Sequence, residues 1–292
     1  MSNPNPTIRV AVDPTNPGQF FACCGLLELA DRLWGDAEGW FDGTTTFCLR
    51  AVAPNPDATA QRLMAELVRC RLTNAMTPEE VSRLEELSNM RGRDRTKAQD
   101  EEKKRLERLW REKPLVFHDP FRLRVDWFLD DWAGGSRFKT WAGQQSVIDI
   151  GLAMKKPVEA GGWNDLPPEQ WLTRTAADAG LPFNFDADLG GQASALDVGF
   201  SFDPLGLKMR TRPLIELAAF VGLQRFRPAA DPKGGNRYTF ELWPDRLTPE
   251  VAAVAACGAL GLPNTHTYEF RLLYRTKYLK SFLPAQPIRG DR

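Results

Sequence analysis

Hydrophobic residues recur at every second position near the start of the chain. Ile8, Val10 and Val12 alternate with Arg9, Ala11 and Asp13, as in a strand with one buried face. Asn16 and Pro17 come next. Asn caps a first helical turn well, and Pro fits the first helical position because it has no amide proton to leave unpaired. A helix is therefore predicted from about 17 to 34. Its polar side chains Glu28, Asp31 and Arg32 form one narrow stripe, while Phe20, Phe21, Leu26, Leu27, Leu29 and Leu33 cover the remainder. Such a helix is buried on most sides. A strand or hairpin at 39–51, turning at Asp42 and Gly43, completes a β-α-β opening.

Residues 57–72 read as an amphipathic helix, and Thr77-Pro78-Glu79-Glu80 as a capped helix start. The segment 91–113 is dense in charge of both signs. With the residues before it, it reads as two solvent-facing helices joined near 91–97, with a nucleic-acid-contacting arm as the alternative. Residues 121–128 alternate cleanly and lead into a glycine-containing loop. A helix at 142–156 is predicted to stop at Pro157, 168–179 forms a short helix, and 181–212 mixes strand and loop. Helices at 212–226 and 248–260 flank a strand at 237–243, and one long strand fills 267–283. The predicted class is α+β: a mixed, largely antiparallel sheet with packed helices and a charged helical insertion. The chain divides into a β-α-β opening with its helix at 1–74, the insertion at 75–114, and the rest of the same core at 115–292.

With 42% hydrophobic and 26% charged residues among 292, the composition is that of a globular protein. Basic and acidic side chains balance at 38 each, but unevenly along the chain. Residues 1–60 carry three basic against seven acidic, 205–237 seven against two, and 265–292 six against two. This asymmetry points to a polyanionic partner on the C-terminal half. No apolar run reaches the length of a membrane span, and the opening residues have no secretory pattern. The five cysteines form no CxxC pair, so a cytoplasmic chain with reduced thiols is expected.

Catalytic signatures are weak. Cys23 and Cys24 point about 100° apart on a helix and cannot share a metal well; beside Phe20, Phe21 and Leu27 they read as core, with Gly25 admitting a close backbone neighbour. His118 and His266 stand far apart with no ligand spacing around them. No catalytic residue, metal or cofactor is assigned. Recognition chemistry is richer. In "GGSRFKTWAGQQS", Arg137 and Lys139 supply charge, Trp141 a stacking surface, and Gln144 and Gln145 amide groups. That mixture suits RNA, although a glycine loop with Trp141 buried fits equally. Lys208, Arg210 and Arg212 alternate with Met209 and Thr211. In the last strand, Phe270, Leu272, Tyr274 and Tyr278 share one face, and Arg271, Arg275 and Lys277 the other. This is either a backbone-binding platform or an ordinary solvated face.

Taken together, "VDPTNPGQFFACCGLLELADRL", "KTWAGQQS", "DVGFSFDPLGLKMRTRPLIELAAFVGLQRF" and "LLYRTKYLKSFLPA" resemble the Csb-three family, accessory subunits encoded with subtype I-U (I-G) CRISPR–Cas systems. The resemblance runs from about residue 8 to 285 and is weakest over 75–115. It implies antiviral defence as a non-catalytic subunit of a type I CRISPR effector, with the other effector subunits and CRISPR RNA or target DNA as partners. In such effectors, sequence is read by guide pairing while protein contacts the backbone. The β-α-β opening also suits the ferredoxin-like folds common among CRISPR RNA-binding subunits. A metal-independent nuclease acting on CRISPR RNA and a protein-only assembly factor are the alternatives.

Overall fold

β1 (Ile8–Ala11) pairs antiparallel with β3 (Thr46–Ala51), which also pairs antiparallel with β2 (Ala37–Asp42). With α1 (Pro17–Trp34) between β1 and β2 in sequence, the order β1-β3-β2 is a split β-α-β unit. The likeness to a ferredoxin-like sheet ends there. After α2 (Thr59–Arg69), the next strand, β4 (Leu72–Asn74), joins a second sheet instead of returning to β1. That sheet runs β4-β5-β6, with β5 at Leu115–Phe117 and β6 at Leu123–Val125. Asn74 and Leu115 are register partners, so residues 75–114 leave the body between two paired strands. They form α3 (Pro78–Asn89) and α4 (Lys97–Glu112), each opened by a reciprocal capping box. Met76, Leu87 and Leu106 make a small core of their own there.

The computed structural model describes residues 5–53, 55, 58–132, 135–142, 145–177, 180–190, 210–231, 236–274 and 280–288. Along the middle of the chain lie α5 (Gly135–Phe138), α6 (Val147–Ala160), β7 (Ala176–Ala177) and α7 (Ala187–Gly190). β8 (Arg210–Thr211), α8 (Pro213–Gly222) and β9 (Ala229–Ala230) come after them. The chain then forms β10 (Arg237–Leu242), α9 (Pro249–Ala256), β11 (His266–Tyr274), β12 (Lys280–Phe282) and β13 (Gln286–Pro287). The last sheet runs β12-β11-β10-β9, with β13 also on β11, and every pairing in it is antiparallel. The fold is α+β, as expected.

α1 is the axis of the body. Asn16 caps it by accepting from the Gly18 amide at 3.1 Å, and Gly35, in the left-handed region at φ 78°, ends it. Phe20 stacks on Phe240 at 4.2 Å and Phe41 at 5.7 Å, so one helix covers two sheets. Cys23 and Cys24 are fully buried, as expected of core residues, and burial pushes both thiols far above their ordinary value. Gly25 has the close backbone neighbour that its place in a helix demands. A methyl group there would overlap the Ala218 carbonyl of α8, and one at Gly222 would overlap the Phe21 carbonyl. The two helices meet backbone to backbone.

Three predicted elements change. Pro157 lies inside α6 rather than ending it, because Met154 and Val158 are both buried and hold the last turn in place. Of the helix predicted at 168–179, the described residues 168–177 form a 3₁₀ turn and the short β7 instead. The long strand at 267–283 is two strands. β11 and β12 pair antiparallel with Leu272 opposite Phe282, so the chain reverses between Tyr274 and Lys280.

Candidate nucleic-acid interface

The reversal after β11 brings Lys280 back onto the segment following α5. Its backbone amide donates to the Thr140 carbonyl at 2.9 Å, and its Nζ donates to the Arg137 carbonyl at 2.9 Å. Phe138 fixes that segment from beneath by packing on Tyr238 at 4.4 Å. Arg137 is left exposed beside it. The Lys139 ammonium lies 5.5 Å from the Trp141 ring centroid, and that of Lys280 lies 5.2 Å from the ring centroid of Tyr274. Tyr274 is 45% exposed and donates its hydroxyl to Asn236 Oδ1 at 3.1 Å.

Two cations therefore share one place. Burial lowers the pKa of Lys139, with Glu112 opposing weakly from a distance. Burial also lowers that of Lys280, and the positive charge of Lys139 adds to the effect. Neither lysine makes an ion pair among the described residues, whereas Arg212, Arg225 and Arg237 all do. Each lysine thus raises the cost of charging the other, and a shared anion would offset both.

The other sequence candidates scatter. Trp141 is 2% exposed and meets Trp127, Phe128 and Phe183 edge-on at 5.9, 5.4 and 5.2 Å. The expected stacking surface is inside the core, because the indole fills the space between α8 and the segment at 127–129. Gln145 accepts from the Ala142 amide at 2.8 Å and closes the turn before α6. Arg212 is clamped rather than free. It donates to Asp186 through Nε at 2.6 Å and Nη2 at 2.5 Å, and to Asp188 at 2.6 Å. Arg210 is exposed on the short ladder of β7 and β8. Arg271 stands on the outer face of its sheet as the alternation predicts, opposite Arg237 in register, and the two flank Glu269. Lys208, Gln144, Arg275 and Lys277 lie outside the described residues.

Of the candidates, the structure joins Arg137 and Lys139 and adds Lys280. The reversal pairs Lys280 with Tyr274, so it stays on the face of Phe270 and Leu272, at the end of the ladder where Tyr274 is exposed. Clefts of about 730 and 650 Å³ flank α3 and α4, sharing Val81, Glu85 and Trp110, and none of the candidates lines either. Among the described residues, no group of three or more His, Cys, Asp or Glu is placed to hold a metal, and no helix is long and apolar enough to cross a membrane. No protein-family model matches the chain, and a search of curated proteins finds no match.

Proposed function

We propose that this protein is a non-catalytic, nucleic-acid-contacting subunit of a type I CRISPR effector in the cytoplasm. It holds backbone phosphates of CRISPR RNA or target DNA at Arg137, Lys139 and Lys280. The observation that carries the contact is the adjacent, partly buried pair Lys139 and Lys280, which makes no ion pair among the described residues, with Lys280 Nζ held on the Arg137 carbonyl. A phosphate oxygen is the natural counterion for such a pair and carries no base information. The CRISPR setting, with the other effector subunits as partners, follows from the sequence resemblance.

The test is a salt titration of binding to single-stranded RNA and DNA of unrelated sequences. The Lys139→Ala/Lys280→Ala protein should bind all of them more weakly by a similar factor. The slope of log affinity against log salt should flatten by roughly 0.7 for each phosphate no longer held. Unchanged affinity and slope would overturn this reading and leave the protein-only assembly role.

A further inference from the structure

Trp132 is fully exposed, at 101% of its reference surface, while Trp40, Trp127, Trp141, Trp163, Trp171 and Trp243 are buried. An indole is the largest apolar side chain, and leaving it in water forgoes the burial that places most tryptophans inside. Leu129, three residues earlier, is also 50% exposed.

The loop that carries Trp132 is tied at its base. The Asp130 amide donates to the Trp127 carbonyl at 3.1 Å, and the Ser136 amide donates to the Asp130 carbonyl at 3.3 Å. Gly135 packs so closely on the Trp127 carbonyl that no side chain fits there. Arg227 lies over the Trp127 ring at 5.9 Å, with Asp126 and Asp130 in its field. α5 begins at Gly135 and carries Arg137, with Lys139 just after it. An exposed aromatic ring thus lies a few residues along the chain from cations that make no ion pair among the described residues. That combination, stacking face plus phosphate contacts, is how proteins hold unpaired nucleic acid.

We infer that Trp132 stacks on an unpaired base of the strand whose phosphates lie at Lys139 and Lys280, so that the ligand is single-stranded at this point. The inference rests on the nucleic-acid reading above. An indole carries no charge to release a counterion, so the contribution of Trp132 is independent of salt. It is also tolerant of base identity, because every base presents a π-face.

The experiment compares wild type, Trp132→Ala, Trp132→Phe and Lys139→Ala/Lys280→Ala on labelled oligothymidine, on an abasic oligomer of the same length, and on duplex DNA. Trp132→Ala should bind oligothymidine about 5- to 150-fold more weakly, with an unchanged salt slope and partial recovery in Trp132→Phe. On the abasic oligomer and the duplex it should match wild type. If the lysine variant weakens and flattens binding while Trp132→Ala equals wild type on oligothymidine, the stacking role is overturned and the phosphate contact stands. If wild type binds none of the ligands, both fall. Loss of co-purification with an effector subunit in Trp132→Ala, with oligothymidine binding intact, would reassign the indole to a protein contact and also overturn the inference.

Discussion

Arg212 and Lys139 look alike in the sequence: each is a cation in a basic stretch beside an apolar helix or aromatic ring. In the folded chain they differ completely. Arg212 is gripped by Asp186, itself buried, which also accepts from Asn16 Nδ2 at 2.8 Å. Asn16 in turn accepts from the Gly18 and Ala187 amides. Beneath them Glu216 accepts from the Phe185 and Asp186 amides at 3.2 and 2.9 Å. The charge of Arg212 thus ties α1, the 184–188 segment and α8 together. Lys139 and Lys280 make no such ion pair among the described residues. The same holds more widely for the basic stretch at 205–237, where Arg225 is held by Glu28 and Glu250 and Arg237 by Glu269. A local excess of positive charge in a sequence does not locate a polyanion site, because the neutralising carboxylates arrive from distant parts of the chain. Free charge is what marks such a site, and it is visible only after folding.

This contrast can be broken by mutation. The largest effect should come from Arg212→Ala, which leaves Asp186 buried at 3% side-chain exposure without its cation. Removing one partner of a buried pair costs about 3–5 kcal/mol, to be read as a fall in the denaturant midpoint. A loss under about 1 kcal/mol would show the clamp to be ornamental.

Glu216 sharpens the comparison from inside the clamp. Burial first, and the charge of Asp186 second, push its carboxyl up to about 8 from an ordinary 4.5. An acid with a raised folded pKa favours the fold while protonated. Its contribution is complete below the unfolded value and is lost as pH rises through about 8. Glu216→Gln keeps an oxygen acceptor for one of the two amides, at some cost in stability at every pH, and cannot ionise. Its midpoint should stay level across roughly pH 5 to 8 while that of wild type falls. Parallel curves would assign the slope to other groups.

The smallest effect belongs to the patch. Lys139→Ala gives up only a cation–π interaction with Trp141, so its stability should drop by about 0.5–1 kcal/mol. A drop as large as that of Arg212→Ala would mean that Lys139 is structural, and the distinction between the two regions would collapse.

Much of the frame is legible in local pattern. The cap at Asn16, the apolar girth of residues 17–34, the Asp42-Gly43 turn and the alternation around Ile8 are all short-range signals, and each corresponds to an observed element. Less is legible where long-range packing decides. Pro157 stays in a helix because its neighbours are buried. The reversal after Tyr274 leaves no break in the alternation, so the pattern predicts one continuous strand and misses the pairing of Lys280 with Tyr274. The two tryptophans nine residues apart, Trp132 and Trp141, carry opposite fates that no local rule separates. The glycines around Trp132 and the cations around Trp141 favour the wrong one for stacking.

The backbone contact between Gly25 and Gly222 also constrains the order in which the chain can assemble. α1 is translated early, yet its cover comes late: Phe185 against Gly18, Ala218 against Gly25, Phe240 against Phe20, and Phe270 and Phe282 against Phe21. Contacts of such separation must close very long loops before they return any stability. While the ribosome is still adding the last third of the chain, the split β-α-β unit holds an almost wholly apolar helix with nothing to lay over it. The split β-α-β unit therefore cannot cover its helix until α8 and the last sheet are made. Until then its first helix is a surface in waiting, with the partners that bury it still to be synthesised.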